Sequence, residues 1–212
     1  MTQPCTRQEN RRRAQVRRWF GTVVLAAIAC FHPGSSVWAH PDIEIESRVT
    51  FIFQGQSVSG IEEAWTFDPD YSETLLADYG ADRHGSLSAA QSRAIAERTL
   101  PNLAEVRYFT YARVDGRDLG TLPLRDFVAT LGAGRVTFSF ILDLPAPVDP
   151  RHQALKVEID DPDYYAAFRL SRKDPIRLRD SHGIVCEPRV RDDVENAYFG
   201  YVYPQEITLS CR

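Results

Sequence analysis

The sequence has few cysteines, no apolar run long enough to span a membrane, and none of the common catalytic motifs. Its N-terminal apolar run, WFGTVVLAAIACF, spans 13 residues from Trp19 to Phe31, whereas a membrane-spanning helix needs about 20. The chain contains no G-x-S-x-G, H-E-x-x-H, P-loop or glycine-rich dinucleotide motif. These absences favour a protein that is not an enzyme, and we assign no catalytic residue. An acid–base pair with no recognisable spacing is the remaining enzymatic alternative.

The first 39 residues are expected to be a secretory signal peptide that is removed on export. Six arginines between Arg7 and Arg18 precede the apolar run, and the segment HPGSSVWA follows it. This order of charged, apolar and small residues is typical of cleavable export signals. We expect cleavage after Ala39, which leaves residues 40–212 as a single periplasmic domain. The alternatives are attachment of a lipid to Cys30 and an uncleaved anchor.

The predicted mature chain is poor in positive charge. Residues 1–39 carry six of the 25 basic side chains but only one of the 29 acidic ones, so residues 40–212 keep 19 basic and 28 acidic side chains and a net charge of −9. At 173 residues, this part is long enough for one well-packed core. Its acidic balance disfavours nucleic acid and anionic membranes as partners and mildly favours cations. We expect no nucleic-acid partner and no direct membrane insertion after cleavage.

Only two cysteines, Cys186 and Cys211, remain after the predicted cleavage. The periplasm is oxidising and favours disulfides, so we expect these two cysteines to be bonded. The closed loop would stabilise the fold by about 3 kcal/mol in the chain-entropy model. The alternative is a thiolate metal site, which the absence of a C-x-x-C pair disfavours.

Alternation with a period of two dominates the mature sequence. From Ile43 to Phe53 the odd positions are largely apolar and the even positions largely polar, which is the pattern of a strand with one buried face. The turn QGQSVSG follows, and IEEAWTF is predicted to be the returning strand. Further predicted strands are VRYFTYARV, DFVATL, RVTFSFILDL, ALKVEI, YYAAFRL, IRLR and EITLSC. This pattern predicts a mainly β (α+β) fold, an antiparallel β-sandwich-like domain with a two-helix insertion near residues 69–102.

The two inserted helices are predicted from their end signals. Asp68 is placed to cap the first helix, Pro69 to occupy its first position, and Gly80 to end it. The second helix is expected to begin at Ser88, where the sequence Ser-x-x-Gln has the form of a capping box. Pro101 is expected to break or kink this helix.

The loop between these helices, Gly80 to Gln91, is similar to a twelve-residue calcium loop that has lost ligands. With Gly85 at the sixth position, the residues at ligand positions are Asp82, His84 and Ser88. The first ligand is absent and the twelfth is a neutral amide, whereas calcium prefers hard oxygen ligands and usually a bidentate glutamate at the end. We expect the loop to keep its shape and to bind no calcium.

A transition-metal site is predicted at the start of the mature chain. Cleavage after Ala39 would make His40 the terminal residue, and its amine and imidazole together form a chelate. Side chains at alternate positions of a strand share a face, which adds the carboxylates of Asp42 and Glu44. These ligands suit copper, nickel or zinc better than calcium. The alternative is an ordinary solvated polar face on a strand.

Two groups of aspartates and tyrosines have two interpretations. The groups are Asp68, Asp70 and Tyr71, and Asp161, Asp163, Tyr164 and Tyr165. One interpretation is a second polar pocket. The other is that the aspartates cap turns and the tyrosines pack in the core, which is the commoner use of such residues.

Several motifs follow the order found in one known family. They are AHPDIEIES, AWTFDPDYS, the calcium-like loop, RYFTYARVDG, DPDYYAAF and the closing GIVC and LSC segments. In these motifs the chain resembles the domain-of-unknown-function family 1007, over essentially all of residues 39–211. Trp-Thr-Phe-Asp-x-x-Tyr-Ser and Asp-Pro-x-Tyr-Tyr-x-Ala-Phe are fairly specific together. The resemblance implies an exported bacterial protein of the kind labelled as a periplasmic component of uncharacterised ABC-type transport systems.

The resemblance also implies metal handling. Members of that family typically begin the mature chain His-Pro-His, and their genes tend to lie near nickel, cobalt or zinc transport functions. This chain has Asp42 in place of the second histidine. We therefore expect a periplasmic accessory protein that assists transport or sensing of Ni, Co, Zn or Cu, with an inner-membrane metal transporter as its partner. The alternative is a non-catalytic envelope module that docks on a membrane transporter without binding metal.

Overall fold

The structure is a computed structural model that describes residues 41–199 and 202–212. Its strands are β1 (Ile43–Gln54), β2 (Ser57–Phe67), β3 (Thr110–Val114), β4 (Arg117–Asp118), β5 (Leu124–Gly132), β6 (Arg135–Val148), β7 (Leu155–Ile159), β8 (Ala166–Leu170), β9 (Ile176–Arg179), β10 (Cys186–Asp192) and β11 (Gln205–Cys211). Its α-helices are α1 (Pro69–Asp78) and α2 (Ala89–Glu105), and its 3-10 helices are Arg107–Phe109 and Val194–Asn196. The predicted signal peptide and His40 lie outside the described residues.

The first sheet is built around the long hairpin of β1 and β2. Its order is β5-β6-β2-β1-β8, and β9 also pairs with β1. Strands β8 and β9 run parallel to β1, one after the other along its length, while the other pairs are antiparallel. The alternation of β1 sets its burial, because Val49 and Phe51 are buried whereas Glu44 and Glu46 are exposed. Strand β2 already begins at Ser57, within the segment that was expected to be a turn.

The second sheet has the order β10-β11-β7-β3-β4 and is antiparallel throughout. Val157 of β7 and Ile207 of β11 are buried and belong to the same hydrophobic cluster as Phe51 and Trp65 of the first sheet. Apolar faces of both sheets therefore enclose one core, with polar positions on their outer sides. The expected mainly β, sandwich-like α+β fold is confirmed.

The helical insertion has the predicted beginnings but a later end. Asp68 caps α1 with Pro69 following it, and Ser88 and Gln91 form the predicted capping box of α2. Helix α2 continues through Pro101 to Glu105 rather than stopping near residue 102. Proline removes one helical hydrogen bond, but the helix continues, and Leu103 in the following turn packs against the core. Among the described residues, no helix is long and apolar enough to cross a membrane.

The segment that was expected to begin β3 is instead a left-handed turn. Arg107, Tyr108 and Phe109 have φ angles of 58°, 54° and 50°, a region that is costly for residues other than glycine. Contacts with residues outside the turn hold it, because the Arg107 guanidinium forms a bidentate pair with Asp118 at 2.7 and 3.2 Å. The Phe109 ring lies 6.2 Å from that of Trp65 in the core. The strand is therefore confined to Thr110–Val114.

Cys186 and Cys211 form a disulfide, as predicted. They are direct partners in the antiparallel pair of β10 and β11, with their Cα atoms 4.0 Å apart. Strand β10 itself was not predicted. It lies at the edge of its sheet, contains Pro188 and buries none of its side chains, so it lacks the alternation that identifies the other strands.

Candidate functional site

The start of β1 holds two of the three predicted metal ligands in exposed positions. The backbone N–H of Asp42 donates to the carbonyl of Tyr165 at 2.9 Å, and that of Glu44 donates to the Asp68 carboxylate at 3.0 Å. The backbone is thus held between the cap of α1 and the residue that precedes β8. Neither Asp42 nor Glu44 forms an ion pair with a residue that the structure describes. His40, the third predicted ligand, lies outside the described residues.

Glu44 also lines a cleft of about 390 Å³ that contains basic side chains. Arg135, Arg169 and Arg172 line the same cleft, and Arg135 forms an ion pair with Glu46 at 3.3 Å. Three guanidinium groups disfavour a cation deep in this cleft. The N-terminal end of β1, near residue 40, is therefore a more favourable place for a metal ion than this cleft.

The calcium-like loop is held together by the side chain of Gln91. Its amide nitrogen donates to the carbonyls of Tyr79 at 3.1 Å and Gly80 at 3.4 Å. Its amide oxygen accepts the backbone N–H of Ser88 at 2.9 Å. A neutral amide therefore bridges the two ends of the loop, where a calcium loop would use a carboxylate and the bound ion. That the loop binds no calcium stays a prediction.

One aspartate in each of the two Asp/Tyr groups acts as a cap. Asp68 accepts the backbone N–H of Tyr71 at 2.9 Å. Asp161 accepts the backbone N–H groups of Asp163 at 3.0 Å and Ala166 at 2.9 Å. These are the uses predicted for such residues in turns. The interpretation that the tyrosines pack in the core is wrong for Tyr165, whose exposed fraction is 57%.

A carboxyl group that the sequence did not single out lies in the centre of the core. Glu63 is on the inner face of β2 and is fully buried. Its Oε2 accepts the indole N–H of Trp65 at 2.7 Å, and its Oε1 lies 2.8 Å from the hydroxyl of Thr110 on the second sheet. The same hydroxyl lies 2.9 Å from the carbonyl of Tyr108 in the left-handed turn. This chain of polar groups joins the two sheets through the core.

Counting hydrogens along this chain indicates that Glu63 is protonated. The Thr110 hydroxyl has one hydrogen, and the carbonyl of Tyr108 offers only an acceptor. If Glu63 donates to Thr110 and Thr110 donates to Tyr108, both contacts are satisfied at once. Burial raises the pKa of Glu63 to about 7, which agrees with this count.

A second polar site lies on the outer side of the second sheet, and we call it the outer cleft. It has a volume of about 320 Å³ and is lined by Tyr111, Arg113, Glu158, Asp160, Pro162, Asn196, Ala197 and Tyr198. The strand residues come from outward positions of β3 and β7, opposite the buried Ala112 and Val157. The segment around Val194–Asn196 covers this face, so residues distant in sequence complete the cleft. Outward positions of a sheet are typically solvated, and no local signal in the sequence indicates the cover.

The outer cleft concentrates negative charge that is largely removed from water. Glu158 is only 6% exposed, and burial, followed by the neighbouring Asp193, raises its pKa. Burial and then Glu158 raise the pKa of Asp160 to about 7. The hydroxyl of Tyr198 donates to the Asp160 carboxylate. Perturbed carboxyl groups in a cleft are a recognised mark of binding sites.

Within residues 41–199 and 202–212, no three His, Cys, Asp or Glu side chains are grouped so that they would hold one metal ion. A metal ion bound by Asp42 and Glu44 would therefore need a further ligand from outside the described residues. His40 is the residue predicted to provide it.

The architecture is that of a mainly β, two-sheet domain with two inserted helices. Within that class, the profile of a family described as a protein of unknown function, DUF1007, matches residues 24–201. The match covers more than half of the chain, and the chain belongs to this family, as its motifs predicted.

Two relatives share much of their own length with this chain. An uncharacterised protein of Haemophilus influenzae is 20% identical over 196 residues, which cover 83% of this chain and 93% of the relative. An uncharacterised 15.5 kDa protein of Spirochaeta aurantia, described by its place in the trpE 3' region, is 24% identical over 131 residues. That similarity covers 61% of this chain and 93% of the relative. Neither description names a ligand or an activity.

Proposed function

We propose that this chain is an exported accessory protein, not an enzyme, that binds a divalent transition metal at the start of its mature domain and assists the transport or sensing of that metal. The observation that carries the proposal is the exposure of Asp42 and Glu44 at the start of β1, where neither carboxylate forms an ion pair with a described residue. The adjoining His40 would add an amine and an imidazole if cleavage follows Ala39. Nitrogen ligands of this kind suit nickel, copper and zinc.

Two further features are consistent with this role. The Cys186–Cys211 disulfide suits an oxidising compartment such as the periplasm. Residues 40–212 carry a net charge of −9, which raises the local concentration of cations. The partner we propose is an inner-membrane metal transporter, to which the protein would deliver or report the metal.

The proposal is tested by titrating Cu(II), Ni(II) and Zn(II) into protein that begins at His40. A matched form with one extra residue before His40 blocks the amine while leaving every side chain in place. We expect this form to bind at least about tenfold more weakly, because it loses one ligand of the chelate. Affinity should also fall as the pH drops through the amine range near ~8 and the imidazole range near ~6.5, because both donors must be unprotonated.

Side-chain variants locate the remaining ligands. Asp42→Asn should weaken binding, and Glu44→Gln should do so if its carboxylate completes the site. Glu46→Gln is the control, because this carboxylate also lies on the exposed side of β1 but is paired with Arg135, and it should leave the affinity unchanged. Equal binding by the native and blocked forms would contradict the role of the terminal amine.

One observation favours the alternative function, a docking module that binds no metal. Within residues 41–199 and 202–212, strand β10 pairs with one strand only, and the apolar side chains of Val185, Val190 and Val194 near it are 57%, 39% and 68% exposed. An open strand edge with apolar side chains is suited to pairing with another protein. If neither the native nor the blocked form binds metal, this alternative replaces the metal-binding role.

A further inference from the structure

The cleft beside the start of β1 contains two arginines without partners, and we call it the arginine cleft. Arg169 and Arg172 line it together with Glu44, and all three residues are exposed. Neither guanidinium forms a hydrogen bond or an ion pair with a residue within 41–199 or 202–212. A guanidinium presents its N–H donors in a fixed fork. Two of them in one cleft favour an anion with several oxygen atoms.

The backbone that carries these two arginines is fixed. Arg169 is level with Glu46 in the parallel pair of β1 and β8. Ser171, between the two arginines, is buried, and its backbone N–H donates to the carbonyl of Ser47 at 2.8 Å. Its hydroxyl donates to the carbonyl of Lys173 at 3.1 Å, which closes the turn after β8. Both guanidinium groups therefore extend from an ordered backbone, so binding an anion orders only their side chains.

The other charged groups of the arginine cleft are already engaged, except for one acid. Glu46 pairs with Arg135 at 3.3 Å. Both carboxylate oxygens of Asp68 accept backbone N–H groups, from Glu44 at 3.0 Å and from Tyr71 at 2.9 Å, at the helix end where the dipole is positive. The Glu44 carboxylate has no hydrogen bond or ion pair in the part of the chain that the structure describes. It is the acid that the proposed function gives to the metal ion.

The proposed metal site and the arginine cleft share Glu44, and together they lack an anion. A divalent ion would be balanced by the carboxylates of Asp42 and Glu44. His40 would add no charge, because its amine and imidazole bind metal in their neutral forms. The guanidinium groups of Arg169 and Arg172 would then have no acceptor. An anion that binds both the metal ion and these guanidinium groups satisfies the whole site.

We propose that the metal ion binds to this protein as its complex with a small polycarboxylate. This inference rests on the proposed metal-binding function and specifies its substrate class. The metal ion lies at the start of β1, and a carboxylate of the chelator that does not bind the metal lies between the forks of Arg169 and Arg172. Alternate residues of a strand are about 6.6 Å apart. Arg169, level with Glu46, is thus one such step from Glu44, within the reach of one small molecule.

Other anions account for the arginine cleft less well. A free phosphate would be held by the arginines but repelled by Glu44, whose position in the same cleft it leaves unexplained. The acidic surface of another protein would meet a domain whose net charge is −9 over residues 40–212, and this charge opposes association. A metal complex uses the acid and the arginines together.

The test uses mature protein, residues 40–212, with nickel and citrate as probes in buffer free of other multivalent anions. Equilibrium dialysis measures the binding of Ni(II) alone, of labelled citrate alone and of both together. We expect citrate to bind at least about tenfold more tightly when nickel is present, because the metal ion then supplies part of its contacts. Native mass spectrometry should show one nickel ion and one citrate on the same chain.

Variants assign the arginines. Arg169→Gln and Arg172→Gln should each weaken binding of citrate in the presence of nickel at least about tenfold. Their affinity for Ni(II) alone should not fall, because removing a positive charge favours a nearby cation. Arg177→Gln is the control, since this exposed arginine lies on the neighbouring β9 but pairs with Asp174 at 3.6 Å, and it should bind like the wild type. Unchanged melting temperatures verify that all three variants fold.

Three results would overturn the proposal. They are removal of nickel from the protein by citrate without formation of the joint complex, equal binding of citrate with and without nickel, and unchanged joint binding in both arginine variants. Each of them leaves the binding of Ni(II) alone intact, so the proposed function would stand. Failure of that function is recognised separately, because mature protein would then bind no Ni(II) with or without citrate, and this inference would fail with it.

Discussion

At the scale of single residues, Glu63 has a pKa well above its ordinary value. A glutamate on the inner face of a central strand is held in its neutral form by the lack of water and by a hydrogen-bond chain that needs its proton. Because its folded pKa is about 7 and its ordinary value is 4.5, the native state binds this proton more tightly than the unfolded chain. The stability from Glu63 is therefore fully present below about pH 4.5 and lost as the pH rises through about 7.

The first prediction is that Glu63→Gln removes this pH dependence. Near neutral and higher pH, the variant should be more stable than the wild type by up to about 3 kcal/mol. At that pH the wild type must either hold Glu63 as a buried carboxylate or take up a proton on folding, and glutamine needs neither. Near pH 4.5 the two should differ by about 1 kcal/mol or less, since glutamine preserves the contacts to Trp65 and Thr110. Denaturant unfolding across this pH range measures the difference.

Glu62→Gln is the matched control for this prediction. Glu62 is the adjacent residue of β2, points away from the core and pairs with Arg179 at 2.9 Å. Its pH profile should run parallel to that of the wild type. Parallel profiles for Glu63→Gln and the wild type would show instead that Glu63 ionises freely in the folded protein.

At the scale of elements, the hairpin between β5 and β6 contains a turn residue that does not suit its conformation. Gly132 pairs with Arg135, and the two residues between them, Ala133 and Gly134, have φ angles of 51° and 74°. Two successive positive φ angles define the tight hairpin turn that prefers Asn-Gly or Asp-Gly. The hairpin between β3 and β4 meets this preference with Asp115-Gly116, but alanine does not.

The second prediction is that Ala133→Asn stabilises the protein. Ala133 is exposed, so the change affects the backbone preference and little else. We expect the free energy of unfolding to rise by roughly 0.5 to 1 kcal/mol. Gly134→Ala is the converse variant. A Cβ at this position meets no atom within 4 Å, so backbone strain is the main effect, and we expect the free energy of unfolding to fall by about 1 kcal/mol. Melting curves decide both, and a loss of stability in Ala133→Asn would contradict the turn assignment.

The third prediction concerns the disulfide that fastens β10 to β11. Replacing both cysteines, Cys186→Ser with Cys211→Ser, should lower the free energy of unfolding by about 3 kcal/mol, because the unfolded chain regains the freedom of a loop of 25 residues. Metal affinity of the folded protein should stay the same. A loss of metal binding without a loss of stability would mean that the cysteines act as ligands.

Much of the fold was predictable because its signals are local. The period-two pattern of Ile43–Phe53 follows from one buried face, and the starts of both helices follow from Asp68 and the Ser88 capping box. The left-handed turn at 107–109 was missed because Arg-Tyr-Phe favours a strand locally, and contacts with distant residues override that preference.

The polar sites were less predictable because neighbours distant in sequence determine them. Alternation places Glu63 on the same face as Trp65, but only the approach of Thr110 from the other sheet gives it hydrogen-bond partners. Glu158 occupies an outward position that is typical of a solvated residue. Its burial depends on a segment more than thirty residues later, which no local pattern indicates. Asp42 and Glu44, in contrast, are exposed as their alternation predicted.

At the scale of the whole molecule, the chain is a sandwich-like domain of the DUF1007 family, and we propose that it is exported and binds a metal ion. The proposed metal site lies at the start of β1, and the outer cleft lies on the second sheet. The first depends on the position at which the chain is processed, because an amine at His40 exists only if residues 1–39 are removed. The disulfide is consistent with an oxidising compartment such as the periplasm, and the acidic net charge is consistent with attraction of cations.

Native mass spectrometry of the protein purified from the periplasm tests the proposed processing and metal binding together. We expect a chain that begins at His40, lacks the two cysteine hydrogens and retains one ion of nickel, copper, zinc or cobalt. Protein that carries one extra residue before His40 should retain less of this ion. A mass that includes residues 1–39, a lipid on Cys30, or a correctly processed chain without any metal would contradict the proposed metal-binding role.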